Sequence, residues 1–179
     1  SRGVEARRRA FGESVRSTLL KMKPSPVYQK SALNLIETGF LEEDGARLAA
    51  CDWICEAVKE DLDLKRALFR RIASLRSPGS IVSTNTSGIP LRALAEGMDE
   101  DMARHFLGTH FFNPPRYLKL VELVPGPHTD REVVDTMAAF CKSRLGKGIV
   151  HAKDTPNFVA NRILAFHVQY VLEEARRLG

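Results

Sequence analysis

Two residues able to exchange a proton lie inside apolar runs of this 179-residue chain. Glu122 is the charged residue of the run 120–124, and His110 lies within the mostly apolar residues 106–112. Burying an unpaired carboxylate is costly, so Glu122 requires a partner, and His110 is the obvious candidate because a short connection joins the two runs. A histidine held by a carboxylate acts as a general base in many enzymes, and a purely structural ion pair is the alternative.

Two polar stretches supply further candidates for hydrogen bonding. Residues 83–88 (STNTSG) place hydroxyl and amide side chains at the end of an apolar run. They form either a turn that caps the next helix or a set of donors that faces a ligand. Thr155-Pro156 is a typical helix start, so Asn161 is expected in the first turns of a helix, where a hydrogen bond at the helix end is its alternative role.

The spacing of apolar residues predicts an alternation of strands and helices. Strands are predicted at residues 52–58, 80–84, 106–112, 118–124 and 148–152. Helices are predicted at residues 4–22, 27–37, 63–75, 90–96 and 130–145 and from residue 155 to the end, and residues 40–44 are a connection compatible with a short strand. This pattern indicates an α/β fold with a mainly parallel sheet covered by helices, in which ligands bind at the carboxyl ends of strands.

The net charge of +5 is concentrated at the start of the chain. Residues 1–30 contain eight Lys and Arg against two Glu, a net charge of +6, and the remaining residues have a net charge of −1. The predicted first helix is therefore basic, whereas the chain as a whole is not a general polyanion-binding surface. With 7% aromatic residues and no stacking platform, a nucleic-acid role is the weakest hypothesis.

The three cysteines are an odd and sparse set: Cys51, Cys55 and Cys141. We expect reduced thiols, as in a cytoplasmic protein. No histidine or cysteine cluster accompanies Cys51 and Cys55, so no metal site is predicted. The sequence shows no secretory signal, and no apolar run approaches the roughly 20 residues that a membrane helix needs.

Four stretches occur in the order that is typical of the 3-hydroxyacyl-CoA dehydrogenase family, which the chain resembles over nearly its whole length. They are residues 56–62 (EAVKEDL), 84–88 (TNTSG), 110–123 with HFFNPP and LKLVEL, and 153–162 (KDTPNFVANR). Residues 22–26 (MKPSP) and Asn157 resemble the large multi-domain fatty-acid oxidation branch; other branches usually have Gly at the position of Asn157. The resemblance implies an NAD-dependent oxidoreductase that converts 3-hydroxyacyl-CoA to 3-oxoacyl-CoA in β-oxidation.

The resemblance also implies roles for individual residues. His110 matches the catalytic base that takes the proton of the C3 hydroxyl, and Glu122 matches its acidic partner. Ser87 and Asn161 match residues that bind the reacting oxygen of the substrate. The positions that match the NAD side are Glu60, Lys65, Asn85 and Asn113. Family members bind coenzyme A along the basic first helix, where the candidates are Arg7, Arg8, Arg16, Lys21 and Lys23; a solvated helix face is the alternative.

Relative to the family, the sequence is expected to be incomplete. The family begins with a strand and a Gly-rich turn that cradles the pyrophosphate, and this sequence contains no GxGxxG. We therefore expect an incomplete Rossmann-like NAD-binding domain at residues 1–154 and the first helix of a C-terminal all-α substrate and dimerisation domain at residues 155–179. These residues alone are expected to be inactive and to form homo-oligomers or to need further domains of the parent chain.

Two other functions stay open on the same residues. An NAD-dependent dehydrogenase of a small hydroxy acid would keep the fold and the His–Glu pair, but its substrate would make no use of the basic helix. A non-catalytic protein that binds acyl-CoA or forms oligomers would have lost the cofactor site. Charge reversal on the basic helix separates the first alternative from a coenzyme A substrate.

Overall fold

The strands of the protein form one sheet in the order β1-β2-β3-β4-β5, in a computed structural model that describes residues 2–179. The strands are β1 (Trp53–Glu56), β2 (Ile81–Thr84), β3 (Phe106–Phe111), β4 (Leu120–Pro125) and β5 (Gly148–His151). All neighbouring strands are parallel except β3 and β4, which are antiparallel. The predicted mainly parallel sheet is confirmed; each predicted strand is present and slightly shorter, and β4 ends one residue later than predicted.

The helices are α1 (Arg2–Lys21), α2 (Leu41–Asp44), α3 (Leu62–Ala73), α4 (Leu91–Leu94), α5 (Glu100–Arg104), α6 (Arg131–Leu145) and α7 (Ala160–Leu178). Residues Lys30–Leu35 and Gly45–Ala50 form 3₁₀ helices. Within residues 2–179, no helix is both long enough and apolar enough to cross a lipid bilayer. All three cysteines are free thiols, and burial raises the pKa of Cys141.

Alternate residues of the central strands pack against helices on opposite faces of the sheet, since the side-chain period of a strand is two. Phe106 packs in one core with Phe69 of α3, their ring centroids 5.1 Å apart, while the next residue, Leu107, packs in a second core with Met137 and Cys141 of α6. This two-sided burial explains why the sequence of β3 is mostly apolar rather than alternating.

Three parts of the chain differ from the prediction, and a side-chain hydrogen bond accounts for two of the differences. Residues 40–44 contain the helical turn α2 instead of a strand, because the Asp44 carboxylate accepts the Phe40 N–H and closes the turn. Helix α5 was missed, although the Asp99 side chain caps it by accepting the Met102 N–H at 2.8 Å. The predicted helix at residues 27–37 is only the 3₁₀ segment Lys30–Leu35.

The last helix begins at Ala160, five residues later than the predicted start at residue 155. Asn157 and Phe158 have φ values of 63° and 49°, and a left-handed backbone cannot continue a right-handed helix. Asn161 nevertheless lies in the first turn of α7, as expected. Side chains of α7 are largely exposed, and the division of the chain at residues 154 and 155 stays a prediction.

The end of α6 gives a test of backbone conformation. Gly146 follows the helix with φ 65°, and its N–H bonds to the Cys141 carbonyl. We expect Gly146→Ala to lower the free energy of unfolding by about 1–2 kcal/mol, because an L side chain is strained there. Gly148→Ala is the matched control, since Gly148 has no positive φ and a Cβ would meet open space. Urea unfolding measures both; equal stabilities would contradict the expectation.

Candidate active site

A buried hydrogen bond joins His110 of β3 to Glu122 of β4. The antiparallel register places the two residues opposite each other, so both side chains lie on the same face of the sheet. His110 is 4% exposed and Glu122 0%, and the distance from His110 Nδ1 to Glu122 Oε2 is 2.7 Å. An ionised carboxylate only accepts, so Nδ1 carries the hydrogen and Nε2 of the neutral ring is free to take a proton. The pairing predicted from the sequence is therefore present.

The second oxygen of Glu122 anchors the start of α7. Glu122 Oε1 accepts the backbone N–H of Val159 at 2.9 Å and that of Ala160 at 2.8 Å. These amides belong to the first turn of a helix, which lacks intrahelical partners and favours a negative charge. One carboxylate thus fixes both the imidazole of His110 and the turn whose next residue is Asn161.

Two aromatic rings surround the histidine. The ring centroid of Phe112 lies 4.5 Å from that of His110, and the centroid of Phe158 lies 5.5 Å away on a ring inclined by 62° to the imidazole. Phe158 is 2% exposed. The left-handed turn at Asn157 and Phe158 directs this ring inward; Asn tolerates that backbone better than most residues, and Gly better still. These aromatic contacts were not predicted, because the sequences HFF and PNF show only that apolar residues are present and not that their rings contact His110.

The loop after β2 is attached to the strand that carries the histidine. Asn85 Oδ1 accepts the N–H of Phe111 at 2.9 Å, one residue after His110. Ser87 follows on the exposed part of the loop, and Asn113 is exposed just beyond β3. The structure therefore gathers Asn85, His110 and Glu122 at neighbouring strands, with the loop that carries Ser87 attached at this end of the sheet.

Glu60 organises the same loop. Its Oε1 accepts the Thr86 hydroxyl and three backbone N–H groups, those of Ser87 at 3.1 Å, Gly88 at 3.1 Å and Ile89 at 3.4 Å. Partial burial raises the pKa of Glu60, but these hydrogen bonds and the Lys65 ammonium outweigh it and hold the pKa below the ordinary value. Glu60 is therefore ionised near neutral pH.

Lys65 lies beneath Glu60 and is paired with Glu56. Both side chains are buried, and Lys65 Nζ lies 2.7 Å and 2.9 Å from the two carboxylate oxygens of Glu56. Glu56 was not among the predicted site residues. The reasoning applied to Glu122 would have found it, because Glu56 is also an acid at the end of an apolar strand, and α3 supplies a lysine nine positions later.

The basic side chains of α1 are placed apart from the His–Glu pair. Arg7 bonds to Glu43 and Arg8 to Asp44, both on α2, while Arg16 and Lys21 are exposed. Among the side chains that the structure describes, no hydrogen bond or ion pair links α1 to His110 or Glu122. The predicted coenzyme A contacts of Arg7, Arg8, Arg16, Lys21 and Lys23 stay predictions.

The sheet, its flanking helices and its polar strand ends define a Rossmann-like α/β domain. Residues 4–155 match the family model described as "3-hydroxyacyl-CoA dehydrogenase, NAD binding domain", and the chain belongs to this family. The resemblance inferred from the short sequence stretches is therefore confirmed.

Curated relatives show the same relationship over most of the chain. A probable 3-hydroxyacyl-CoA dehydrogenase of Bacillus subtilis is 47% identical over 161 residues, which cover 90% of this chain and 20% of the relative. One of Deinococcus radiodurans is 41% identical, covering 89% of this chain and 46% of the relative. The chain thus spans less than half the length of these relatives.

A solved structure supports the fold. The (S)-3-hydroxybutyryl-CoA dehydrogenase PaaH1 from Ralstonia eutropha is 32% identical and superposes with a TM-score of 0.69. The match covers 85% of this chain and 52% of that one. It confirms the Rossmann-like arrangement predicted from the sequence.

The contacts of Glu122 generate a stability prediction. Replacing Glu122 with Ala leaves the His110 Nδ1–H and two helix amides without a hydrogen-bond acceptor. We therefore expect the free energy of unfolding to fall by about 3–5 kcal/mol. Glu132→Ala removes an exposed carboxylate from α6 and serves as the control. Urea denaturation of both variants gives the comparison; a loss at Glu122 no larger than at Glu132 would mean that the buried contacts add little stability.

Proposed function

We propose that this domain serves an NAD-dependent 3-hydroxyacyl-CoA dehydrogenase, which oxidises 3-hydroxyacyl-CoA to 3-oxoacyl-CoA in fatty-acid β-oxidation. The observation that supports it is the 2.7 Å bond between His110 Nδ1 and Glu122 Oε2 at the sheet, in a chain of this family. The bond leaves Nε2 of His110 available as a base, and the oxidation of a hydroxyl group requires such a base.

In this proposal His110 Nε2 takes the proton of the C3 hydroxyl. Glu122 stabilises the resulting imidazolium, which is 2.7 Å away in a buried site where electrostatic attraction is strong. NAD, when bound, accepts the hydride that leaves C3. Ser87 and Asn161 donate hydrogen bonds to the reacting oxygen and orient it toward His110.

Polar residues at the carboxyl ends of the strands are suited to bind part of NAD. The carboxyl ends of β1 and β2 carry polar groups where a Rossmann-like sheet binds its ligand, and the proposed contacts on this side are Glu60, Asn85 and Asn113. The side chain of Glu60 is 44% exposed, so part of its carboxylate can accept hydroxyl groups of a ribose. Lys65, which the family resemblance also placed on the NAD side, is only 1% accessible, so in this proposal it supports Glu60 and does not touch NAD itself.

The same proposal includes association between copies of the chain, a cytoplasmic location and further domains in the parent chain. The support for association is the exposure of apolar side chains along α7, where Ile163 is 64% and Phe166 72% accessible. The support for further domains is the greater length of the bacterial relatives.

The base is tested by His110→Gln in the full-length gene product. We expect turnover with NAD and a 3-hydroxyacyl-CoA to fall by about 10²–10⁴-fold, because Gln cannot take the proton. Glu122→Gln should lose nearly as much, since the neutral amide no longer stabilises the imidazolium. His128→Gln, an exposed histidine after β4, is the control. Steady-state kinetics that show full activity in both site variants would refute the assignment.

The substrate class is tested by reversing charge on α1. With Arg16→Glu and Lys21→Glu together, we expect the KM for a 3-hydroxyacyl-CoA to rise by roughly threefold to tenfold at low salt, because exposed charges that attract phosphates are replaced by repulsive ones. A small hydroxy acid lacks these phosphates, so its KM should not change. Arg131→Glu on the exposed face of α6 is the control. An unchanged KM for the acyl-CoA would exclude α1 as its binding site.

A further inference from the structure

A buried lysine lies under the loop that carries Ser87. The ammonium of Lys65 contacts both carboxylate oxygens of Glu56, the Val58 carbonyl at 3.3 Å and Glu60 Oε2 at 3.3 Å. With 1% of its side chain accessible, Lys65 has no surface to offer a ligand. Its charge therefore acts on the residues that surround it.

Glu56 provides a rigid base for this lysine. Glu56 Oε2 accepts the Thr84 hydroxyl at 2.6 Å, and Oε1 accepts the Val58 N–H at 2.5 Å. These two bonds fix the carboxylate between the ends of β1 and β2, which are paired at Glu56 and Thr84. A buried ion pair with its remaining hydrogen bonds satisfied holds a defined geometry.

Glu60 transmits this geometry to the loop. One of its oxygens faces Lys65, and the other receives the N–H groups of Ser87, Gly88 and Ile89. Residues 85–90 form neither helix nor strand, so these bonds to Glu60 replace the hydrogen bonds that regular structure would provide. A side chain as flexible as glutamate loses rotamer freedom in this position, and the cation beneath it offsets that loss.

We propose that Lys65 is a positioning residue that acts through Glu60 to hold Ser87 in place for the reacting oxygen of the substrate. The inference rests on the proposed function for the role of Ser87, whereas the attachment of the loop to Lys65 stands on the contacts alone. It gives Lys65 a role that requires no direct contact with NAD.

The test removes the charge of Lys65 without leaving Glu56 buried and unpaired. The double variant Glu56→Gln with Lys65→Met keeps a hydrogen-bonding side chain at residue 56 and an apolar chain of similar length at residue 65. Arg70→Met, which removes an exposed charge from the same helix, is the matched control. All are made in the full-length gene product, and folding is checked by circular dichroism. Glu60→Gln, a partly exposed change that leaves the buried pair intact, is the second variant if the double variant does not fold.

Two readouts are needed, and the first is independent of activity. Amide hydrogen exchange at residues 87–89 should be faster in the double variant and in Glu60→Gln than in Arg70→Met. The double variant removes the cation that holds the Glu60 carboxylate, and Glu60→Gln removes the charge of the carboxylate that accepts these amides. Turnover of the double variant with NAD and a 3-hydroxyacyl-CoA should fall by about 10–10²-fold, with smaller changes in both KM values, since misplacing Ser87 weakens the transition state more than binding.

Unchanged exchange at residues 87–89 would overturn the attachment of the loop to Lys65. If the double variant shows faster exchange at these residues but turns over substrate as fast as the Arg70→Met control, the proposal that Lys65 positions Ser87 for catalysis is overturned. Failure of the proposed function has a different signature, because the unsubstituted protein would then lack dehydrogenase activity while the exchange experiment still decides the contact between Lys65, Glu60 and the loop.

Discussion

A carboxylate removed from water has to be neutralised or fully hydrogen-bonded, and this requirement at Glu122 determines the arrangement around it. One oxygen is bonded to the imidazole of His110 and the other to two amides at the start of α7. Because the histidine comes from β3 and both amides come from the start of α7, the strand β3, the strand β4 and the final helix are held at one point. The bond to the imidazole also fixes the tautomer of His110.

A second buried acid repeats this arrangement on β1, the edge strand of the sheet. Glu56 is bonded to Lys65, Thr84 and the Val58 amide, and through Lys65 it is linked to Glu60 and the loop after β2. Each acid lies on a mostly apolar strand; Glu122 fixes the start of α7, and Glu56, through Lys65 and Glu60, fixes the loop after β2. The polar groups of the candidate site are thus supported from within the core, which allows close geometric control.

Much of this could be predicted from the sequence, because apolar periodicity and buried charge are both visible there. The strands, the helices α3 and α6 and the pairing of His110 with Glu122 followed from such patterns. The late start of α7 could not be predicted, since Thr155-Pro156 has the composition of a helix start while the backbone at Asn157 and Phe158 is left-handed. The anchoring of α7 by Glu122 depends on contacts between residues 37 and 38 positions apart, which local patterns do not encode.

The position of β3 and β4 inside the sheet affects how the site responds to heat. β2 pairs with β3 on one side and β5 pairs with β4 on the other, so neither strand that carries the His–Glu pair lies at an edge of the sheet. A slip of either strand by one residue would turn its own side chain of the pair to the opposite face of the sheet, and the two-sided core forbids it. The loop that carries Ser87 lies outside the paired strands, and we expect it to open at a lower free energy than the sheet. We therefore expect warming to release the loop that carries Ser87 from the hydrogen-bonded pair of His110 and Glu122 before the sheet itself melts.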